Sequence, residues 1–203
     1  IAADVLARFK RLSGNKVLFL TGTDEHGQKV AKASEAAKLP PKEFTDKIVG
    51  SFKALWQTLS ISYDDFIRTT EDRHVRAVQS VWRKLYEKEE IYEDIYSGFY
   101  CTPCETFLTE RQVLVENGKN LCPDCKLGLE KIEEKNYFLK LSKHQEWLTQ
   151  YIRDHENFIL PISRRNEVLG FLEHNTLQDL CISRPKSRLS WGILSPISDA
   201  HVT

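Results

Sequence analysis

Four of the five cysteines in this 203-residue sequence fall into two Cys-x-x-Cys pairs, Cys101-Thr102-Pro103-Cys104 and Cys122-Pro123-Asp124-Cys125, with residues 105 to 121 between them. That spacing is the one expected of a tetrahedral zinc site, because each pair presents two thiolates about one turn and two turns supply four soft ligands at Zn–S distances of about 2.3 Å. With every position filled by protein, none is left for water. Such a metal is structural and supplies folding free energy to a loop-rich stretch with little apolar surface to bury. Pro103 and Pro123 suit the two turns, and Asn117-Gly118 bends the loop between them. Two disulfides are the alternative use of the same residues; no secretion signal is visible, and a reducing compartment argues against them. Cys181, in the apolar run Leu180-Cys181-Ile182, reads as a small core residue.

A second concentration of polar groups, Thr21-Gly22-Thr23-Asp24-Glu25-His26-Gly27, follows the apolar run Val17 to Leu20. Strand, loop and then a helix from about Gln28 to Lys38 make half of a βαβ unit, and in open α/β sheets ligands sit at the carboxyl ends of the strands. On the residues alone, Asp24 reads as an Asx-turn or cap for that helix, and His26 as a structural residue that braces the loop or simply packs.

The elements that must hold these groups follow from periodicity. Ile1, Val5, Leu6, Phe9 and Leu12 share one face of an opening helix that ends near Ser13-Gly14-Asn15, and Val17 to Leu20 predicts a parallel strand covered on both faces. Pro40 and Pro41 suit the start of a helix whose apolar positions Phe44, Ile48, Phe52, Leu55 and Leu59 recur at helical spacing. A short strand over Phe66 to Thr69 precedes a helix with Val75, Val78, Val81, Trp82 and Leu85 inward. Ile91 to Tyr96 is strand-like, with Ser97-Gly98 bending it toward the first cysteine pair. A further strand runs from Asn136 to Leu141, and helices return over about Gln145 to Arg153 and Arg165 to Glu173. No repeat or low-complexity tract is present. The plan is an α/β layer interrupted by a zinc-bearing insertion.

Composition constrains the partners little. Lys plus Arg and Asp plus Glu are 29 each, so no global positive field announces a nucleic acid, and 41% hydrophobic residues are enough for a core. No apolar run approaches the roughly 20 residues of a membrane span, so no membrane partner is expected. The absence of any Met and the entry of Ile1 into an apolar spacing suggest a piece of a longer chain.

The heptapeptide Thr21 to Gly27 resembles the methionyl-tRNA synthetases, class I enzymes with a Rossmann-type catalytic domain. The likeness continues in order through Phe66-Ile67-Arg68-Thr69-Thr70, Asn136-Tyr137-Phe138, Arg165-Asn166-Glu167-Val168, Asp179-Leu180-Cys181-Ile182-Ser183-Arg184 and Trp191-Gly192-Ile193. The resemblance implies a partial Rossmann-type α/β domain over residues 1–70 and a connective-peptide insertion over 71–183, its zinc knuckle at about 98–137. Residues 184–203 then return to the catalytic domain. It implies methionine, ATP and tRNA(Met) as partners of the intact enzyme, Mg(2+) with the ATP, structural Zn(2+) on Cys101, Cys104, Cys122 and Cys125, and a cytoplasmic setting. Asp24 would receive the methionine α-ammonium. Arg184 would offset charge around the reacting carboxylate and phosphate. The family's His-Ile-Gly-His and Lys-Met-Ser-Lys-Ser signatures do not occur, so the chain reads as a central fragment, inactive alone. Pro185-Lys186-Ser187-Arg188 is a solvated basic loop rather than the second signature. A free-standing zinc-ribbon module that binds RNA or protein is the alternative; it leaves the Thr21 to Gly27 loop unexplained.

Overall fold

The structure, a computed structural model, describes every residue except Glu105 and Asn117, and Arg111 by its backbone alone. Helix α1 (Ala2–Leu12) leads through Gly14, at φ 80°, to strand β1 (Leu20–Thr23), then α2 (Gln28–Ala36) and α3 (Pro41–Thr58), and strand β2 (Asp65–Arg68) pairs parallel with β1 in the register Leu20↔Asp65 to Thr23↔Arg68. Pro41 at the first helical turn starts α3 where its missing N–H costs nothing. Strand formation begins three residues later than the apolar run predicts, because β2 offers pairing groups opposite Leu20 to Thr23. Nor is the strand covered on both faces, since Leu18 and Leu20 are exposed.

The helices of this half bury small and polar residues more than their apolar stripes. On α1 the inward residues are Asp4 and Ala7, while Val5, Leu6, Phe9 and Leu12 face outward. Asp4 accepts from the Ser62 N–H (2.7 Å), the Ser62 hydroxyl (2.6 Å) and Arg8 (2.8 Å), which draws its carboxyl down to about 2. A polar clasp docks α1. On α3 the buried positions are Thr45 and Val49, and Ile48, Phe52, Leu55 and Leu59 are exposed. Periodicity located the apolar stripes, and most of their residues remain exposed.

Helix α4 (Asp72–Glu87) crosses to strand β3 (Ile91–Cys101), which pairs antiparallel with β7 (Glu130–Leu139) from Ile91↔Leu139 to Tyr100↔Glu130. Strand β3 is continuous through Ser97-Gly98, with β7 pairing on both sides of the glycine. With β4 (Thr106–Leu108) and β8 (Leu180–Cys181) these strands form a four-stranded sheet in the order β4-β3-β7-β8. Trp82, the buried anchor of α4, meets Ile91 and Tyr137 of this sheet, its ring edge-on to Tyr137 at 5.2 Å; Val81 is exposed. A hairpin, β5 (Leu114–Glu116) and β6 (Lys119–Leu121), turns at Gly118 with φ 72°, the left-handed conformation glycine permits. Asn117 lies outside the described residues. Helices α5 (Gln145–Asp154) and α6 (Ile162–His174) pack together and return the chain to β8, and β9 (Arg184–Pro185) pairs with β10 (His201–Val202). No helix among the described residues is long and apolar enough to cross a membrane.

Candidate functional site

The cysteine pairs come together. Cys101 closes β3, Cys104 follows in the turn before β4, and Cys122 and Cys125 form the turn after β6, where the Lys126 N–H bonds to Cys122 O (3.0 Å) and the Cys122 N–H to Leu127 O (2.9 Å). All four are free thiols, and their sulfurs lie within 4.8 Å of one another. Cys101 Sγ is 3.4 Å from Cys125 Sγ and Cys122 Sγ 3.8 Å from Cys104 Sγ. Both distances far exceed the disulfide length of about 2.0 Å. They match the edge of roughly 3.8 Å that a tetrahedron with Zn–S bonds of about 2.3 Å requires. Leu108, Phe99, Val113 and Leu129 surround the cluster. Burial pushes the Cys101 thiol up, and the Cys125 and Cys101 sulfurs push Cys104 up to about 12. The Cys125 backbone N–H, ahead of that of Asp124, draws Cys122 down to about 7. Four crowded sulfurs are ionised together only around a cation, and this cluster could hold a metal ion.

Asp24 stands at the carboxyl end of β1 with its side chain exposed, 3.5 Å from the Thr69 hydroxyl. Its neighbour Glu25 points the opposite way and is 2% exposed. Glu25 takes Arg68 in a fork (2.6 and 3.0 Å) and the hydroxyls of Thr23 and Thr70 (2.6 Å each), while its N–H donates to Thr69 Oγ1 (2.9 Å). Burial alone pushes the Glu25 carboxyl up; Arg68 and the two hydroxyls outweigh it and hold the group below the usual range. Arg68 is held in turn by Asp46 of α3 at 2.6 Å. His26 is half-buried against the Trp191 ring at 5.2 Å, and its burial, only partly offset by Asp24 and Glu25, lowers its pKa. The brace on this loop is therefore mainly Glu25, with His26 packing beside it.

Arg184 is not a solvated arginine. Its guanidinium carbon lies 3.8 Å from the Phe107 ring centroid and 5.3 Å from that of Tyr100, and Nη1 donates to Ser183 O at 2.7 Å. The preceding Ser183, 1% exposed, is pinned by the Tyr137 N–H (2.8 Å) and donates to the buried Asn136 (3.3 Å). Arg184 therefore extends from fixed backbone onto an aromatic platform beside the cysteine cluster. Arg188 likewise leaves the solvated loop expected of it, bonding Glu130 (2.9 Å) over the Tyr100 ring. A cavity of about 220 Å³ opens between Gly27-Gln28 and Cys181 to Arg184. Asp24, three residues before Gly27, is outside its lining. Cys181 is a half-buried strand residue whose thiol burial pushes up.

The chain matches the family model of tRNA synthetases class I (M) over residues 1–131 and 128–203. It is 51% identical over 202 residues to a methionine–tRNA ligase of Clostridium perfringens and 51% identical to that of Clostridium tetani. The chain belongs to the class I methionyl-tRNA synthetase family. Both relatives align with 100% of this chain, and it spans about 30% of their length. Among solved structures, the Mycobacterium tuberculosis methionyl-tRNA synthetase bound by methionyl-adenylate superposes with a TM-score of 0.91 at 39% identity, covering 99% of this chain and 39% of that one. This likeness carries the class I synthetase fold to the chain. Three features of this synthetase-family chain are silent in its sequence: Glu25 as the inward anchor, Phe107 as the platform under Arg184, and Trp191 against the Asp24 loop. Adjacent residues at a strand end face opposite ways. That alternation says one of Asp24 and Glu25 points inward, but two carboxylates in a row do not tell which.

Proposed function

We propose that this chain is the methionine-recognising, zinc-stabilised portion of an enzyme that activates methionine with ATP and transfers it to tRNA(Met). The observation that carries the reading is an exposed carboxylate, Asp24, presented at the carboxyl end of a parallel strand by a loop whose next side chain is locked inward. A cationic α-ammonium at such a strand end calls for a fixed anion, and a loop that cannot relax keeps that anion preorganised. Arg184, always charged, offsets negative charge on the methionine carboxylate and the ATP phosphate it attacks, with Mg(2+) accompanying the nucleotide. Zn(2+) on Cys101, Cys104, Cys122 and Cys125 holds the knuckle that carries Phe107, and through it the arginine. The division into residues 1–70, 71–183 and 184–203 belongs to the same proposal, as does a cytoplasmic setting, where free thiolates persist. A separate zinc-ribbon module is disfavoured by a family match over the whole chain.

The test is methionine-dependent ATP–pyrophosphate exchange in the full-length protein that carries this sequence. Loss of a charge-assisted bond costs about 1.5–3 kcal/mol, so Asp24→Asn raises the methionine KM roughly 10- to 100-fold and leaves the ATP KM alone. An unchanged methionine KM overturns the assignment of Asp24. The 203-residue chain by itself, containing neither ATP signature, gives no exchange.

A further inference from the structure

Asp24 and Arg184 belong to different layers, and nothing in the β1–β2 pairing sets one against the other. The Glu25–Arg68 fork ties the Asp24 loop to β2 and, through Asp46, to α3. A second tether runs the other way. Trp191 Nε1–H donates to Glu25 O at 2.5 Å, Trp191 O accepts from the Gly27 N–H at 3.3 Å, and the indole packs on His26 between them. One residue thus grips both ends of the turn from 166 positions away in the chain.

From Trp191 the contacts continue to Arg184 without a gap. A Cβ on Gly192 would stand 2.8 Å from Val202 Cβ, so glycine is what allows this segment to lie against β10. Ile193 and Thr203 exchange both backbone hydrogen bonds, at 3.0 and 2.8 Å, and Val202 is the cross-strand partner of Arg184. Trp191 belongs to neither buried core cluster; its polar atoms, both aimed into the loop, are its distinguishing contacts.

We propose that Trp191 is a positioning residue that fixes the Asp24 carboxylate at a set separation from Arg184, so that one amino acid is gripped by its ammonium and its carboxylate together. The inference rests on the reading of Asp24 and Arg184 given above. It predicts a signature that general stabilisation does not: only ligands that engage both ends feel the loss of Trp191. Methionine does so. Its amino alcohol, methioninol, keeps the ammonium and lacks the carboxylate.

The experiment is calorimetric binding of methionine and of methioninol to the full-length protein that carries this sequence. Trp191→Phe keeps the ring beside His26 and removes the N–H donor. Methionine affinity falls by about 5-fold, the worth of one hydrogen bond, and methioninol affinity stays within about twofold because the Glu25–Arg68 tether still holds the loop. Gly192→Ala, which forces the segment off Val202, gives the same selective loss and decides the matter should Trp191→Phe fail to fold. Equal weakening of both ligands, or no weakening of methionine, overturns the proposal. Asp24→Asn separates the two levels, since it must weaken both ligands; if it weakens neither, the reading of the site itself has failed.

Discussion

Replacing Glu25 by Ala is the sharpest probe of what holds the candidate site. The side chain is 2% exposed and accepts from Arg68, Thr23 and Thr70, so truncation leaves a guanidinium and two hydroxyls without their acceptor. Removing one partner of a buried ion pair costs about 3–5 kcal/mol when the other charge is stranded. Arg68 is not fully stranded, because Asp46 remains at 2.6 Å, which places the expected cost near the lower bound of about 3 kcal/mol. Since about 1.4 kcal/mol is a factor of ten, local opening of this segment becomes on the order of 100-fold more frequent. Amide hydrogen exchange reads it directly: protection falls across residues 20–27 and 65–70 and stays unchanged in β3 and β7. An effect below about threefold would refute the reasoning and mean that water or Asp46 substitutes fully for the carboxylate. The pH dependence has a definite sign. The folded pKa of Glu25 lies below its ordinary value of 4.5, so its stabilisation is fully present above about 4.5 and disappears as pH falls through the lower folded value. Glu25→Gln flattens that acid limb of the exchange profile in the same segment.

Three further outcomes are expected. The protein as prepared contains about one zinc per chain; a strong chelator raises exchange and thiol reactivity over residues 98–135 while α1 to α3 stay protected, and unchanged thiol reactivity after chelation would count against a metal on the cluster. Gly22→Ala puts a Cβ 2.0 Å from the Ile67 carbonyl oxygen of β2, so the parallel pairing must separate; overpacking of this kind costs about 1–3 kcal/mol, and a thermal midpoint equal to wild type would contradict the close approach. In the full-length protein that carries this sequence, Phe107→Leu removes the ring under Arg184 but keeps apolar volume beside the cysteines, so zinc content is retained and methionine-dependent exchange falls, whereas Phe107→Tyr keeps it; equal exchange in wild type and both variants would dissociate the platform from the arginine's task.

Much of the chain was legible from local signals. Cys-x-x-Cys pairs fix both the ligand chemistry and the turn geometry within four residues, so the cluster could be named before any fold was known. Pro41 at a helix start and Gly118 at a left-handed turn are equally local, because the conformational limits of those residue types do not depend on neighbours. The apolar stripes of α1 and α3 were visible too, but which side each helix buries was not. Leu12 is 89% exposed, and Asp4, a residue no hydrophobic pattern selects, is what docks that helix.

The sequence by itself determined which segments are helices and which residues can clasp a metal, since both follow from side-chain chemistry within a few positions. Tertiary structure alone decided that Glu25 turns inward to Arg68, that Arg184 lies on Phe107, and that Trp191 reaches the loop before α2. These contacts join residues far apart along the chain. Their strength comes from burial and from distances that exist only after the layers pack, so no window of sequence carries their signature.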